Sequence, residues 1–187
     1  MKKIWLSPPH ISGNELQKIQ QVFQENWIAP VGPQIGEFEA KISSFLGGQD
    51  RHVVALNSGT SALHLALKLL NIGSGDVVIC QSLSFAASVN PVLYEGATPV
   101  FVDSEKETYN LSPVYLEEAI TSQIKKGKKP KAIIAVHIYG MPYKVDEIHR
   151  ISAKYEIPII ALGLGEKVDD LQLFEAEKFA EAFTQIN

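Results

Sequence analysis

A strand, a turn and a helix are predicted by one stretch of the sequence, Val53-Val54-Ala55-Leu56-Asn57-Ser58-Gly59-Thr60-Ser61-Ala62-Leu63-His64. Its first four residues form a continuous apolar run, which is typical of a strand buried on both faces of a parallel sheet. Residues 60–70 then place apolar side chains at helical spacing, namely Leu63, Ala66, Leu67 and Leu70. The stretch therefore predicts one β/α unit.

The same alternation of strand and helix patterns continues to residue 160. Further apolar runs occur at 77–79, 100–102, 133–136 and 157–160. Helical patterns lie between them at 112–124, which opens with Ser112-Pro113, and at 145–155. Alternating strands and helices predict the α/β class, with three layers in an α/β/α arrangement and a mainly parallel sheet.

The two ends of the chain do not follow this alternation, so the sequence predicts three segments. Residues 1–50 form a helical arm, in which Ser12-x-x-Glu15 opens a helix to about Asn26 and a second helix runs from about Gly36 to Leu46. Residues 51–160 form the α/β domain. Residues 161–187 form a divergent tail, with an amphipathic helix from Glu166 to about Ile186.

Composition excludes several classes of protein. The 187 residues carry a net charge of -4, which disfavours binding to nucleic acid or to an anionic membrane. Cys80 is the single cysteine, so neither an internal disulfide nor a cysteine-based metal site is expected. No apolar run approaches the ~18 residues of a membrane span, and Pro8 and Pro9 interrupt a signal-like start. We expect a cytoplasmic protein without a metal.

A run of lysines between residues 125 and 131 has two interpretations. Its members are Lys125, Lys126, Lys128, Lys129 and Lys131. A nucleic-acid patch is one interpretation, and a solvated loop between a helix and a strand is the other. No aromatic residue interleaves with these lysines to stack on bases, which favours the loop.

The turn at residues 57–61 is a candidate phosphate site. Gly59, Thr60 and Ser61 would offer main-chain N–H groups and hydroxyls at the start of a helix, where the helix dipole also favours an anion. Many strand-to-helix turns use the same residues merely as caps, so both interpretations stay open on the residues alone.

Two further candidates follow neighbouring strands. Phe85 comes after the run at 77–79 and would either cover a flat ligand ring or pack in the core. His137 and Tyr139 would face the same way at the end of the run at 133–136. Because ligands collect beyond the carboxyl ends of parallel strands, these turns belong at one edge of the sheet. His64, inside a helix, is expected to be a packed or surface histidine.

Five stretches taken in order resemble the DegT/DnrJ-type nucleotide-sugar aminotransferases, which are fold type I pyridoxal-phosphate enzymes. They lie at residues 4–10, 26–33, 57–67, 101–103 and 136–140, and read IWLSPPH, NWIAPVGP, NSGTSALHLAL, FVD and VHIYG. The resemblance covers roughly residues 3–160. The first two stretches are most similar to the branch that aminates UDP-linked 4-keto-6-deoxy sugars for surface polysaccharides.

The resemblance implies roles for individual residues. Gly59, Thr60 and Ser61 would hold the phosphate of pyridoxal 5'-phosphate, and Phe85 would stack on its pyridine ring. Trp27, His137 and Tyr139 would lie near the substrate mouth. Glutamate would be the amino donor, a nucleotide-linked keto sugar the acceptor, and the protein a homo-oligomer with its active site at a dimer interface.

The resemblance stops after Ile160. The family continues with an acidic motif whose Asp pairs with the pyridine nitrogen, whereas here Ala161-Leu162-Gly163 follows directly. The Schiff-base lysine and small C-terminal domain of the family have no match in residues 161–187, so no catalytic residue is assigned. The chain is therefore expected to be truncated, to bind pyridoxal phosphate weakly, and to be inactive alone.

Two other functional interpretations are kept beside this one. The first is a non-catalytic binding or assembly module derived from the same fold. The second is an unrelated α/β nucleotide-binding domain. A dinucleotide fingerprint at Gly163-x-Gly165 is disfavoured because Val168 occupies the position of its third small residue.

Overall fold

The computed structural model describes residues 11–48 and 52–160. The chain divides into two compact units, the first ending at Ala55 and the second beginning at Leu56. The helix predicted between Glu166 and Ile186 lies outside the described residues.

The first unit contains two helices, α1 (Glu15–Gln24) and α2 (Pro33–Phe45). The Glu15 carboxylate accepts hydrogen bonds from the backbone N–H groups of Ser12 (2.7 Å) and Gly13 (2.9 Å), which have no helical partner. The N-cap residue is Asn14 rather than the predicted Ser12. Of the predicted capping box, the structure retains the hydrogen bond that the Glu15 side chain accepts from the Ser12 N–H. α2 begins with a proline, which needs no N–H partner at that position.

Neither helix of this unit has a buried residue. Apolar side chains instead line an open groove of about 540 Å³ between α1 and α2, where Ile19, Phe23 and Phe38 lie among charged neighbours. The first unit therefore presents an apolar groove rather than a closed core.

The second unit is built on a parallel sheet of four strands. These are β1 (Val77–Gln81), β2 (Thr98–Val102), β3 (Ala132–Ile134) and β4 (Ile159–Ile160), in the order β2-β1-β3-β4. Each neighbouring pair is parallel, with Val78 opposite both Pro99 and Ala132. The predicted α/β class with a parallel sheet is confirmed.

Helices cover both faces of this sheet. α3 (Gly59–Leu69) and α4 (Asn90–Tyr94) pack Leu67 and Val92 against Val78 and Cys80. On the opposite face, α5 (Pro113–Lys125) and α6 (Val145–Tyr155) pack their apolar residues against Ile79 and Ile133. Successive strand residues thus point into two different cores, which gives the three predicted layers.

The strand predicted at 53–56 is wrong. Residues 52–56 form no regular secondary structure, and Val54 and Leu56 are exposed. A short apolar run holds a strand conformation only when a neighbouring strand accepts and donates its hydrogen bonds, and the described sheet pairs its strands without it. The helix predicted to follow is confirmed, since α3 begins at Gly59.

Among the helices of residues 11–48 and 52–160, none combines the length and the apolar character that a membrane span requires.

Candidate functional site

The order of the strands creates a crevice at one edge of the sheet. The connection after β1 leads through α4 to β2 on one side, whereas the connection after β3 leads through α6 to β4 on the other. Because the chain leaves the two central strands in opposite directions, their carboxyl ends are not covered by a crossover. This is the position where open α/β sheets bind ligands.

A cavity of about 620 Å³ opens at this crevice. Four segments supply its wall: the start of α3, the residues after β1, the residues after β3, and the end of β4. The lining residues are Gly59, Thr60, Ala62, Leu63, Ala66, Phe85, Ala87, Ser88, Ala135, Val136, His137 and Ile160.

The start of α3 is fixed by its own side chains. Ser58, the extended N-cap residue, accepts a hydrogen bond at Oγ from the backbone N–H of Ser61 at 3.2 Å. The Ser61 hydroxyl in turn donates to Asn57 Oδ1 at 2.8 Å. Ser61 is therefore occupied in capping the helix and is not part of the cavity wall.

The start of α3 brings Gly59 and Thr60 to the cavity wall. The first N–H groups of an α-helix have no partner within the helix, and both of these residues line the cavity. The helix dipole adds roughly half a positive elementary charge at this end. Of the three residues predicted to bind a phosphate, Gly59 and Thr60 thus line the cavity, whereas Ser61 bonds to Ser58 and Asn57.

Phe85 stands in the cavity wall with 79% of its surface exposed. The alternative that it packs in the core is wrong. The residue precedes a short 3-10 turn, Ala86–Ser88, where the Ser84 and Ser88 hydroxyls are 2.8 Å apart. An exposed aromatic ring in this wall is available to cover a flat ligand.

His137 and Tyr139 do not face the same way. His137 is 7% exposed and lines the cavity, whereas Tyr139 is 90% exposed and is not part of the wall. The prediction assumed that the strand continues, but β3 ends at Ile134 and Ile138–Gly140 forms a 3-10 turn. Strand periodicity therefore no longer decides where these side chains lie.

Sequence reasoning missed the aromatic residues that support His137. The His137 ring meets the ring of buried Tyr143 edge-on, with centroids 4.6 Å apart. The Tyr143 ring is stacked on His149, and its hydroxyl lies 3.3 Å from His149 Nε2. Burial raises the pKa of the Tyr143 phenol and lowers the pKa of His149, which Asp146 partly opposes. The phenol therefore stays neutral.

A buried polar pair beneath the crevice was also missed. Gln81 Nε2 donates to the Leu83 carbonyl at 2.8 Å, and Gln81 Oε1 accepts from the Leu111 N–H at 3.2 Å. Fully buried Asn110 bonds to the turn after β3. The available signal was a glutamine ending an otherwise apolar run at 77–81.

His64 lies elsewhere on α3. Its Nε2 is 2.5 Å from Glu95 Oε1, and Lys68 Nζ is 3.1 Å from Glu95 Oε2. The hydrogen bond from Lys68 is the main cause that lowers the pKa of Glu95. His64 thus contacts Glu95, as expected for a packed or surface histidine.

Two further expectations concern Trp27 and metals. Trp27 belongs to the first unit and is half exposed, and its role at a substrate mouth stays a prediction. Over residues 11–48 and 52–160, no three His, Cys, Asp or Glu side chains are grouped so that they could hold a metal ion.

Comparison with known sequences gives a consistent set of relatives. A model of the DegT/DnrJ/EryC1/StrS aminotransferase family matches residues 9–169. EpsN of Bacillus subtilis, assigned as a pyridoxal phosphate-dependent aminotransferase, is 48% identical over 85% of this chain and 40% of its own length. GDP-perosamine synthase of Caulobacter vibrioides is 39% identical over 86% of this chain and 41% of its own. The chain spans about two fifths of the length of these curated relatives.

Solved structures agree with the sequence comparison. A DegT DnrJ EryC1 StrS aminotransferase from Brucella abortus superimposes with a TM-score of 0.71 and 37% identity, over 77% of this chain and 38% of that one. Spr1654 from Streptococcus pneumoniae, assigned as a sugar aminotransferase and solved in its PMP form, also gives 0.71, with 34% identity over 82% and 36% of the two chains.

Proposed function

This chain belongs to the DegT/DnrJ/EryC1/StrS aminotransferase family, and from that premise we propose that its second unit holds pyridoxal 5'-phosphate for the amination of a nucleotide-linked keto sugar. One observation carries the proposal. A cavity at the carboxyl ends of β1 and β3 combines an anion-binding helix start with an exposed aromatic ring.

The phosphate of the cofactor fits the start of α3. The backbone N–H groups of Gly59 and Thr60 and the Thr60 hydroxyl are donors, and a phosphate carries acceptor oxygens and negative charge. Ser61 contributes indirectly, because its bonds to Ser58 and Asn57 keep this end of the helix in place.

The flat ring of the cofactor fits the remaining wall. Phe85 offers an aromatic face, and Ala135, Val136 and Ile160 offer apolar surface that would exclude water from the bound ring. When bound, pyridoxal phosphate supplies an electron sink for the transfer of an amino group. The described residues of this chain bind and orient it.

The finer parts of the proposal concern substrates and assembly. We expect glutamate as amino donor, a nucleotide-linked 4-keto sugar as acceptor in surface polysaccharide synthesis, and Trp27, His137 and Tyr139 near the substrate. The relative from Caulobacter vibrioides is named for a GDP-linked sugar, so the proposal includes both UDP- and GDP-linked sugars. A cytoplasmic location belongs to the same proposal.

Equilibrium dialysis of the 187-residue chain against pyridoxal phosphate and against pyridoxal tests the cofactor site. Thr60→Val should weaken binding of pyridoxal phosphate about tenfold and leave binding of pyridoxal unchanged, since only the first ligand has the phosphate. Phe85→Ala should weaken both ligands, because it removes the stacking face.

Matched controls come from β2, which does not line the cavity. Thr98→Val and Phe101→Ala remove the same groups at exposed positions and should bind both ligands like the wild type. Equal, weak binding of the two ligands by the wild type would rule out the phosphate site. Wild-type affinity in both the Thr60 and Phe85 variants would rule out this cavity.

The apolar groove of the first unit favours a second candidate function, a non-catalytic assembly module. Ile19, Phe23 and Phe38 leave apolar surface uncovered, as expected of an interface with another copy of the chain. If the chain self-associates in light scattering, Phe38→Glu should reduce that self-association, whereas Val114→Glu, at an exposed position on α5, should not. Self-association without pyridoxal phosphate binding would favour this candidate over the first.

A further inference from the structure

We infer that Asn110 is a positioning residue, which holds the turn after β3 and thereby keeps His137 in the wall of the cavity. The relevance of this wall to pyridoxal phosphate rests on the proposed function. The positioning itself rests on contacts within the chain and is tested separately.

The Asn110 amide grips both ends of one turn. Its Oδ1 accepts a hydrogen bond from the backbone N–H of Ile138 at 3.0 Å, and its Nδ2 donates to the Met141 carbonyl at 2.8 Å. Asn110 is fully buried, so its amide depends on partners within the chain for its hydrogen bonds. A side chain that both accepts and donates is needed here, because the turn presents one donor and one acceptor.

The turn that Asn110 grips is strained. Tyr139 has a φ of 51°, in the left-handed region that a residue with a large side chain rarely adopts. Within the turn, the backbone bonds are Gly140 N–H to His137 O at 3.2 Å and Met141 N–H to Ile138 O at 2.9 Å. Such a conformation persists when surrounding contacts over-determine it, and the two Asn110 bonds supply those contacts.

Asn110 is itself tied to the central strand. Gln81, the last residue of β1, lies with Nε2 at 3.4 Å from Asn110 Oδ1, and Thr108 Oγ1 accepts from Asn110 Nδ2 at 3.2 Å. Asn110 therefore connects the turn after β3 to the end of β1. These are the two strands whose ends border the crevice.

His137 depends on this arrangement because it immediately precedes the turn. Its ring lies in the cavity wall and packs edge-on against Tyr143, two residues beyond Met141. His137 and Tyr143 therefore lie on either side of the segment that Asn110 holds. Release of the clamp would let Tyr139 relax and carry His137 out of the wall.

The test compares Asn110→Ala with a core variant that leaves the turn alone. This core variant is Ile120→Ala on α5, which removes a fully buried side chain from the core that also contains Tyr143. Labelling of His137 by diethyl pyrocarbonate, mapped by peptide mass spectrometry, measures its accessibility without any cofactor. Amide exchange of residues 138–141 measures the turn, and equilibrium dialysis measures affinity for pyridoxal phosphate.

We expect Asn110→Ala to speed His137 labelling and amide exchange of the turn about tenfold, and Ile120→Ala to leave both near wild type. Asn110→Asp retains the acceptor for Ile138 and loses the donor to Met141, so it should fall between them and serves if Asn110→Ala does not fold. Unchanged His137 labelling in the folded Asn110 variants overturns the inference.

The affinity for pyridoxal phosphate distinguishes a failure of the proposed function from a failure of the positioning role of Asn110. If wild type binds pyridoxal phosphate, the Asn110 variants should bind it at least about fivefold more weakly, and equal affinity overturns the link between the turn and the site. If wild type does not bind it, the proposed function fails, and His137 labelling alone decides whether Asn110 positions this residue.

Discussion

Ser58 Oγ accepts a hydrogen bond from the backbone N–H of Ser61 at 3.2 Å, so one of the unpartnered donors of α3 is satisfied within the chain. Gly59 and Thr60, whose backbone N–H groups have no partner within the helix, line the cavity. The same short segment thus caps its helix with Ser58 and contributes Gly59 and Thr60 to the cavity wall.

Loss of this cap should destabilise the second unit. Ser58→Ala is expected to lower the free energy of unfolding by about 1 kcal/mol, because it leaves the Ser61 N–H without its acceptor. Urea denaturation followed by circular dichroism measures the change, and Ser58→Asp, which retains a capping oxygen, should restore most of it. Equal stability of Ser58→Ala and wild type would contradict the prediction.

The acid sensitivity of α1 should depend on Glu15. Hydrogen bonding, chiefly from the Ser12 backbone N–H, lowers the pKa of Glu15 to about 2 from its ordinary value of 4.5. A depressed carboxyl pKa contributes stability that is complete above the unfolded pKa and is lost as the pH falls from about 4.5 towards 2.

Glu15→Gln provides the measurement for this carboxyl. The variant should be less stable than wild type at pH 7, and the difference should shrink as the pH falls through that window. Glu118→Gln, at an exposed position on α5, serves as the control. A difference between Glu15→Gln and wild type that stays constant down to pH 2 would be inconsistent with this pKa.

Replacement of Tyr139 should stabilise the protein. Its φ of 51° suits glycine, and its side chain is 90% exposed, so little packing is lost. Tyr139→Gly is expected to raise the free energy of unfolding by up to about 1 kcal/mol, whereas Tyr139→Ala, which keeps a Cβ, should not. Thermal unfolding of the three proteins decides, and a lower melting temperature for Tyr139→Gly would refute the strain argument.

Cys80 should be unreactive in the folded chain. The residue lies in β1, and burial raises the pKa of its thiol to about 12, so the reactive thiolate is scarce at neutral pH. Ellman's reagent is expected to label it only after unfolding in guanidinium chloride. Rapid labelling of the native protein would mean that the core around β1 opens easily.

The sequence predicted the elements whose signals are local. Ser112 followed by Pro113 gives a cap and a first helical residue, and α5 begins there with the Ser112 hydroxyl 3.4 Å from the Tyr115 N–H. The spacing of apolar residues likewise predicted α3 and α6. These patterns suffice because the contacts that fix a helix end lie within a few residues.

The features that escaped prediction depend on residues far apart in the chain. The run at 53–56 has the composition of a strand but no partner in the described sheet. Asn110 and Gln81 meet across a separation of 29 residues, and that meeting depends on the register of the sheet. The orientation predicted for Tyr139 is wrong because β3 ends at Ile134 and Tyr139 lies in a 3-10 turn, Ile138–Gly140, where strand periodicity does not apply.

The pairing of β1 with β3 has a consequence for folding. Val78 lies opposite Ala132, so the chain must close a long loop before these strands meet, whereas β1 and β2 are joined by a shorter connection. On the ribosome, β1 and β2 are therefore ready to pair while the other wall of the crevice is still to be synthesised. A ligand that bridges both walls can bind only the completed sheet. Its binding would therefore stabilise the folded state after the sheet has formed, and would not contribute to the folding nucleus.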